Sequence, residues 1–189
     1  MNDIRAESFR LRRAADWVRA GGVIAYPTEA VFGLGCDPAD SRAVLRLLGI
    51  KRRPISKGLI LVAADWSQLQ PWLRRPSRQQ LRRLQSGWPG PVTWLVPAAD
   101  GCPRWLTGDH STLAVRVSDH PLVRSLCMKT GSALVSTSAN VNNHPPARSV
   151  LEVQLRFTGR IDYLLPGPLG GLAQPTRILD LATGRTLRA

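Results

Sequence analysis

Long apolar runs are missing from this 189-residue sequence, and so are the residues that build metal or disulfide frameworks. No stretch approaches the roughly 20 apolar residues a membrane-spanning helix needs. The opening Met-Asn-Asp-Ile-Arg-Ala-Glu also lacks the apolar core of a secretory signal, so a cytoplasmic location without membrane contact is expected. Cys36, Cys102 and Cys127 are far apart and odd in number. That argues against a disulfide framework or a CxxC metal site, and no protein-bound metal is expected. His110, His120 and His144 fall in expected loops or helix starts, and no serine sits in a Gly-x-Ser-x-Gly elbow, which excludes the usual nucleophilic hydrolases.

Acidic residues are scarce: 13 stand against 26 basic ones, giving a net charge of +13. Such a chain attracts anions, with nucleotides, tRNA and membrane surfaces all eligible. Lysine is scarcer still, since Lys51, Lys57 and Lys129 are the only three. Two of them fall in Lys51-Arg-Arg-Pro-Ile-Ser-Lys57, where flexible ammonium groups suit phosphate.

What is present alternates. An amphipathic helix over 7–20, with Phe9, Leu11, Ala14, Trp17 and Val18 on one side, ends at Gly21-Gly22 and feeds the strand Val23, Ile24, Ala25. Pro27 is expected to end that strand. In Tyr26-Pro-Thr-Glu-Ala-Val-Phe-Gly-Leu-Gly-Cys-Asp37 a hydroxyl, a carboxylate and two glycines then lead from strand to helix, the glycines allowing positive φ or close approach. Asp40-Ser41 opens a helix through Leu48 that stops near Gly49. Strands are expected at 58–62, 92–96, 113–117, 133–135 and 161–165, and helices at 68–73, 77–85, 120–131 and 148–156. Residues 77–85 form a basic helix capped by Ser77. Residues 166–171 make a glycine-proline loop expected to be mobile, and 176–188 a closing hairpin. The pattern gives a mixed, twisted α/β sheet in one domain over 1–189.

Chemistry-bearing residues recur after strands. The rigid Trp88-Pro-Gly-Pro-Val-Thr93 loop presents Thr93, Arg116 sits inside a strand, and Ser136-Thr-Ser-Ala-Asn140 makes a hydrogen-bonding ledge. Taken with Tyr26-Pro-Thr-Glu-Ala-Val-Phe-Gly-Leu-Gly and Lys51-Arg-Arg-Pro, these segments resemble the YrdC/TsaC family of threonylcarbamoyl-AMP synthases, in its short bacterial form.

The resemblance implies an open twisted mixed parallel/antiparallel sheet with flanking helices and a basic concave cavity. It also implies an enzyme, a nucleotidyltransferase that converts ATP, bicarbonate and L-threonine to threonylcarbamoyl-AMP and pyrophosphate. The product passes through partner proteins to adenosine 37 of tRNA, direct tRNA binding is compatible with it, and Mg2+ is expected to ride on the triphosphate. By the same resemblance Lys51, Arg53 and Arg116 are catalytic. Thr28, Arg116 and Thr176 meet L-threonine, and Arg53, Lys57, Thr93, Ser136, Ser138, Asn140 and Arg188 meet ATP. An RNA-binding module without catalysis, using the same basic cavity, is the competing reading.

Overall fold

The computed structural model describes residues 2–141 and 144–188. Their helices are α1 (Asn2–Arg19), α2 (Ser41–Lys51), α3 (Arg78–Gly87), α4 (Arg104–Thr107), α5 (Pro121–Thr130) and α6 (Val150–Phe157). The strands are β1 (Ile24–Pro27), β2 (Phe32–Cys36), β3 (Ile60–Ala63), β4 (Val92–Pro97), β5 (Thr112–Val117), β6 (Leu134–Ser138), β7 (Tyr163–Leu164), β8 (Arg177–Asp180) and β9 (Thr186–Arg188). They form one sheet in the order β7-β1-β2-β6-β3-β5-β4-β8-β9. Three pairs are parallel, β1/β7, β3/β5 and β4/β8, and the rest antiparallel. The expected mixed sheet with flanking helices is the one observed.

Several local expectations are corrected. Pro27 ends β1 as expected, opposite Phe32, but the stretch after it is a hairpin turn and a second strand rather than a strand-to-helix turn. Gly33 and Gly35 lie in β2 without positive φ. Gly35 is needed for close approach, because a Cβ there would stand 2.4 Å from the Val135 carbonyl oxygen and 2.8 Å from the Tyr26 ring. Helix α2 runs through Gly49 to Lys51, with the Asp40 side chain accepting from the Arg42 and Ala43 amides at its start. Residues 68–73 form parts of two 3-10 turns, 66–68, capped by the Asp65 side chain accepting from the Ser67 amide, and 70–72, which carries Pro71. On α1, Phe9 and Trp17 point outward, at 54% and 37% exposure, while Leu11, Ala14, Ala15 and Val18 are buried.

The period-2 alternation of the strands separates two faces. One face carries Ala25, Phe32, Leu34, Leu61, Trp94, Leu113, Val115 and Val135 into the larger core beneath α2, α3 and α6. The other carries Ile24, Tyr26, Val62 and Leu134 against α1 and α5. Those two helices cover only part of that second face. Where they stop, the same registers of β3, β4, β5 and β6 present Ile60, Leu95, Thr112, Ala114, Arg116, Ser136 and Ser138 to a cavity instead.

From β7 at one edge, the chain crosses this face to β8 through residues 165–176. The crossing is bonded down rather than loose. The Gly170 amide donates to the Thr28 carbonyl (3.0 Å) and the Leu172 amide to the Glu29 carbonyl (2.9 Å). A His120 ring nitrogen lies 3.1 Å from the Pro168 carbonyl.

Candidate active site

The cavity has a volume of about 550 Å³, and four cationic side chains, Arg53, Lys57, Arg116 and Arg188, line it against one carboxylate, Glu29. Eight of the residues expected at the site line it together: Thr28, Arg53, Lys57, Arg116, Ser136, Ser138, Thr176 and Arg188. They come from the β1–β2 turn, the segment after α2, strands β5, β6 and β9, and the end of the crossing segment. Pairing brings Gly33 opposite Ser138 and Ile60 opposite Ser136, which sets the β6 ledge beside both neighbours.

At the floor, Arg116 is fixed from several sides. Its Nη1 donates to Thr176 Oγ1 (2.7 Å) and to Thr93 Oγ1 (3.4 Å), and its Nη2 lies 3.2 Å from Glu29 Oε2. Glu29 Oε1 accepts from the Ser118 hydroxyl at 2.6 Å. Both members of the Arg116–Glu29 pair are under a tenth exposed. Burial costs each charge its water, and the partner plus these hydrogen bonds offset that cost. Glu29 stands out in the sequence as a carboxylate among apolar residues, but its partners Ser118 and Arg116 lie about ninety residues away. Nothing local connects them.

Thr28 donates its hydroxyl proton to the Val31 carbonyl at 2.7 Å, so toward a ligand this oxygen can only accept. Near the mouth, Arg53 Nη2 and Nε hold the Gly58 carbonyl at 2.8 and 3.2 Å. Gly58 has φ +59°, and a Cβ there would come within 2.8 Å of the Thr107 carbonyl, so only glycine lets the Lys57 turn pack against α4. Burial lowers the Arg53 pKa, and burial followed by Arg116 lowers that of Arg188. Arg188 Nη2 donates to the Thr176 carbonyl at 2.8 Å.

Three expected residues lie behind the cavity rather than on its lining. Thr93 is fully buried and braces Thr176 and Arg116. Lys51 is buried with its ammonium on the Ser138 carbonyl, the Asn140 carbonyl (2.8 Å) and Asn140 Oδ1 (3.1 Å). Burial, and secondarily Arg53, push its pKa down to about 8. Asn140 Oδ1 also accepts from Ser138 Oγ (2.6 Å), while its amide donates to the His144 carbonyl (2.7 Å). These three side chains shape the ledge and the floor. Thr112 and His110, which sequence reasoning left unassigned, do line the cavity. The signal for Thr112 was available, since it stands at i−4 from Arg116 on the same face of β5.

Fold and site together define an open-sheet α/β protein whose basic, partly apolar cavity is built for a ligand carrying several negative charges. The chain belongs to the Sua5/YciO/YrdC family, whose model, described as telomere recombination, matches residues 16–189. It is 53% identical to the threonylcarbamoyl-AMP synthase of Halorhodospira halophila, over 95% of this chain and 94% of that one. It also resembles the crystal structure of P. abyssi Sua5 complexed with L-threonine, at 30% identity and TM-score 0.86. That match covers 93% of this chain but 52% of the other, so the chain spans about half the length of that protein. E. coli YciO, at 27% identity and TM-score 0.82, matches over 94% of this chain and 87% of its own.

Proposed function

We propose that this chain is a threonylcarbamoyl-AMP synthase, a nucleotidyltransferase that forms threonylcarbamoyl-AMP and pyrophosphate from L-threonine, bicarbonate and ATP for the modification of tRNA at position 37. The observation that carries the reading is the meeting of residues from separated motifs around one cationic cavity, in a chain 53% identical to proteins of that name.

The chemistry asks for such a site. The threonine amine takes up the carbon of bicarbonate, with loss of water, to give a carbamate. A carbamate oxygen then attacks the α-phosphorus of ATP, the new O–P bond forms, and the bond to the β-phosphate oxygen breaks to release pyrophosphate. Two anions must approach each other, and fixed cations lower that barrier by stabilising charge as it shifts toward the leaving group. In this reading Arg53, Lys57 and Arg188, all on the cavity lining, take the phosphates. Arg116, held by Glu29 and Thr176, takes the amino-acid carboxylate in the same reading. Thr28, able only to accept, suits the substrate hydroxyl or amine.

Among the described residues no group of three His, Cys, Asp or Glu side chains could hold an ion, and Glu29 is already engaged by Ser118 and Arg116. Mg2+ fits this reading as a companion of the triphosphate. None of the helices described is long and apolar enough to cross a membrane. A cytoplasmic single-domain enzyme handing its adenylate to downstream transfer proteins is the setting that agrees with the reading.

The test is pyrophosphate release by the purified protein from MgATP with L-threonine and bicarbonate together, and with each omitted, while the adenylate is followed by mass spectrometry. Release that depends on all three substrates is expected. Absence of turnover in the complete mixture would overturn the assignment.

A further inference from the structure

From Trp66 to Ala99 the chain contains no acidic residue, yet Arg74, Arg75, Arg78, Arg82 and Arg83 fall within it. Helix α3 buries Leu84 and directs Arg78 and Arg82, one turn apart, to solvent. Arg83 turns back to the Leu181 and Ala182 carbonyls, and Arg74 pairs with the exposed Asp100 at 2.6 Å. Arg75, Arg78 and Arg82 have no carboxylate partner among the described residues. Beside them lies a second cavity, about 460 Å³, lined by Trp66, Leu73, Arg74, Arg75, Pro76 and Leu81. Its tryptophan is backed by Trp88, with ring centroids 6.2 Å apart. Trp66, Leu81 and Trp88 pack on the core under α3, so this surface lies on the face of the sheet opposite the cationic cavity.

We propose that the α3 surface is a binding site for an unpaired stretch of RNA, a base resting on Trp66 and its flanking phosphates on Arg75, Arg78 and Arg82. An aromatic wall beside cations free to meet phosphates is what single-stranded nucleic acid uses, stacking through a face every base shares while arginine tracks the backbone. An acidic peptide would use the arginines and leave the indole and its cavity idle. The choice of RNA over DNA rests on the proposed function, whose product is destined for tRNA. The site itself stands on the arginines and Trp66 alone. Because it is remote from the cationic cavity, RNA and nucleotide can be held together.

The experiment measures fluorescence anisotropy of labelled 12-nucleotide RNA and DNA single strands, and of polyglutamate, against the full chain over a range of salt. The triple variant Arg75→Gln/Arg78→Gln/Arg82→Gln should bind the RNA at least tenfold more weakly at low salt. Its log–log salt slope should fall by about 2, as expected for three lost phosphate contacts on a single strand. Trp66→Leu should weaken binding about tenfold, with Trp66→Phe restoring most of it. Saturating MgATP should not displace the RNA, and the triple variant should release pyrophosphate at the wild-type rate. Binding unchanged in the triple variant, or displaced by MgATP and lost in Arg53→Ala, would move the site to the cationic cavity and overturn the proposal. DNA binding as tight as RNA would overturn the assignment to RNA. Polyglutamate binding as tight as RNA, with Trp66→Leu without effect, would point to a protein partner instead. Failure of pyrophosphate release in the wild type would sink the synthase reading, whereas loss of the α3 effects alone would sink only this site.

Discussion

Two groups of cations in this molecule have similar sequence and opposite wiring. Around the first cavity the cations other than Lys57 are tied down: Arg116 to Glu29 and Thr176, Arg53 to the Gly58 carbonyl, Lys51 to the Ser138–Asn140 ledge and Arg188 to the Thr176 carbonyl. Arg75, Arg78 and Arg82, on α3 and the turn before it, project into solvent and lack a carboxylate partner among the described residues. Charge density along the chain does not separate the groups. What each cation is bonded to does, and only the first group is oriented before a ligand arrives.

Arg116→Ala should mark the contrast most sharply. It leaves Glu29 buried without its counter-ion, and chemical denaturation should show a loss of roughly 3–5 kcal/mol, as for other broken buried pairs. Turnover should fall to background with it. A stability within experimental error of wild type would mean that Glu29 protonates or finds another partner, and the floor would not be wired as described.

Arg53→Ala comes next, and separates function from folding. Pyrophosphate release should drop about a hundredfold or more, the scale for removing a charge-stabilising donor. Stability should change by only about 1 kcal/mol, the worth of its carbonyl contacts. Wild-type kinetics in this variant would remove Arg53 from the mechanism.

Lys51→Met tests whether a cation behind the ledge matters through structure. Leaving the Ser138 and Asn140 carbonyls short of a donor should cost about 1–3 kcal/mol. The pH dependence has a definite sign. The folded pKa of about 8 lies below the unfolded value, so between the two the unfolded chain carries a proton that the folded chain has lost. Stability contributed by Lys51 therefore increases as pH rises from 8 toward 10. Denaturation of wild type and variant at pH 8 and pH 10 should show the gap between them widening; a constant gap would contradict the lowered pKa.

The smallest effect belongs to the other group. The α3 triple variant should change stability by no more than about 0.5 kcal/mol, because exposed, unpaired side chains add little. A large loss would show that these arginines are structural and erase the contrast.

Much of this was readable beforehand, for local reasons. Strands such as β3 and β5 announce themselves as apolar runs, and the Ser77 capping box with Gln80 marks α3 at its first turn. The β1–β2 hairpin was hidden because Pro27 and two glycines look like strand breakers. Pro27 stands at the end of its ladder, and the glycines answer to neighbours in β6 and to Tyr26, which no local window contains. The site divided in the same way. The resemblance assigned Arg53, Ser138 and Arg116, all of which line the cavity, but Thr93, although it shares a face of β4 with Leu95, is covered by Thr176 and Arg116 from distant segments. Thr93 braces that layer from beneath, while Thr112 reaches the lining itself. Lys51, chosen for its charge, serves the ledge through its donors.

The crossing from β7 to β8 can be viewed as a bowstring. The two strands stand seven places apart in the sheet, about 34 Å if each spacing is about 4.8 Å. Residues 165–176 can reach only roughly 40 Å when fully extended. A string with so little slack limits how far the limbs can flatten, and its length, more than any side chain on it, sets how wide the mouth of the cavity can gape.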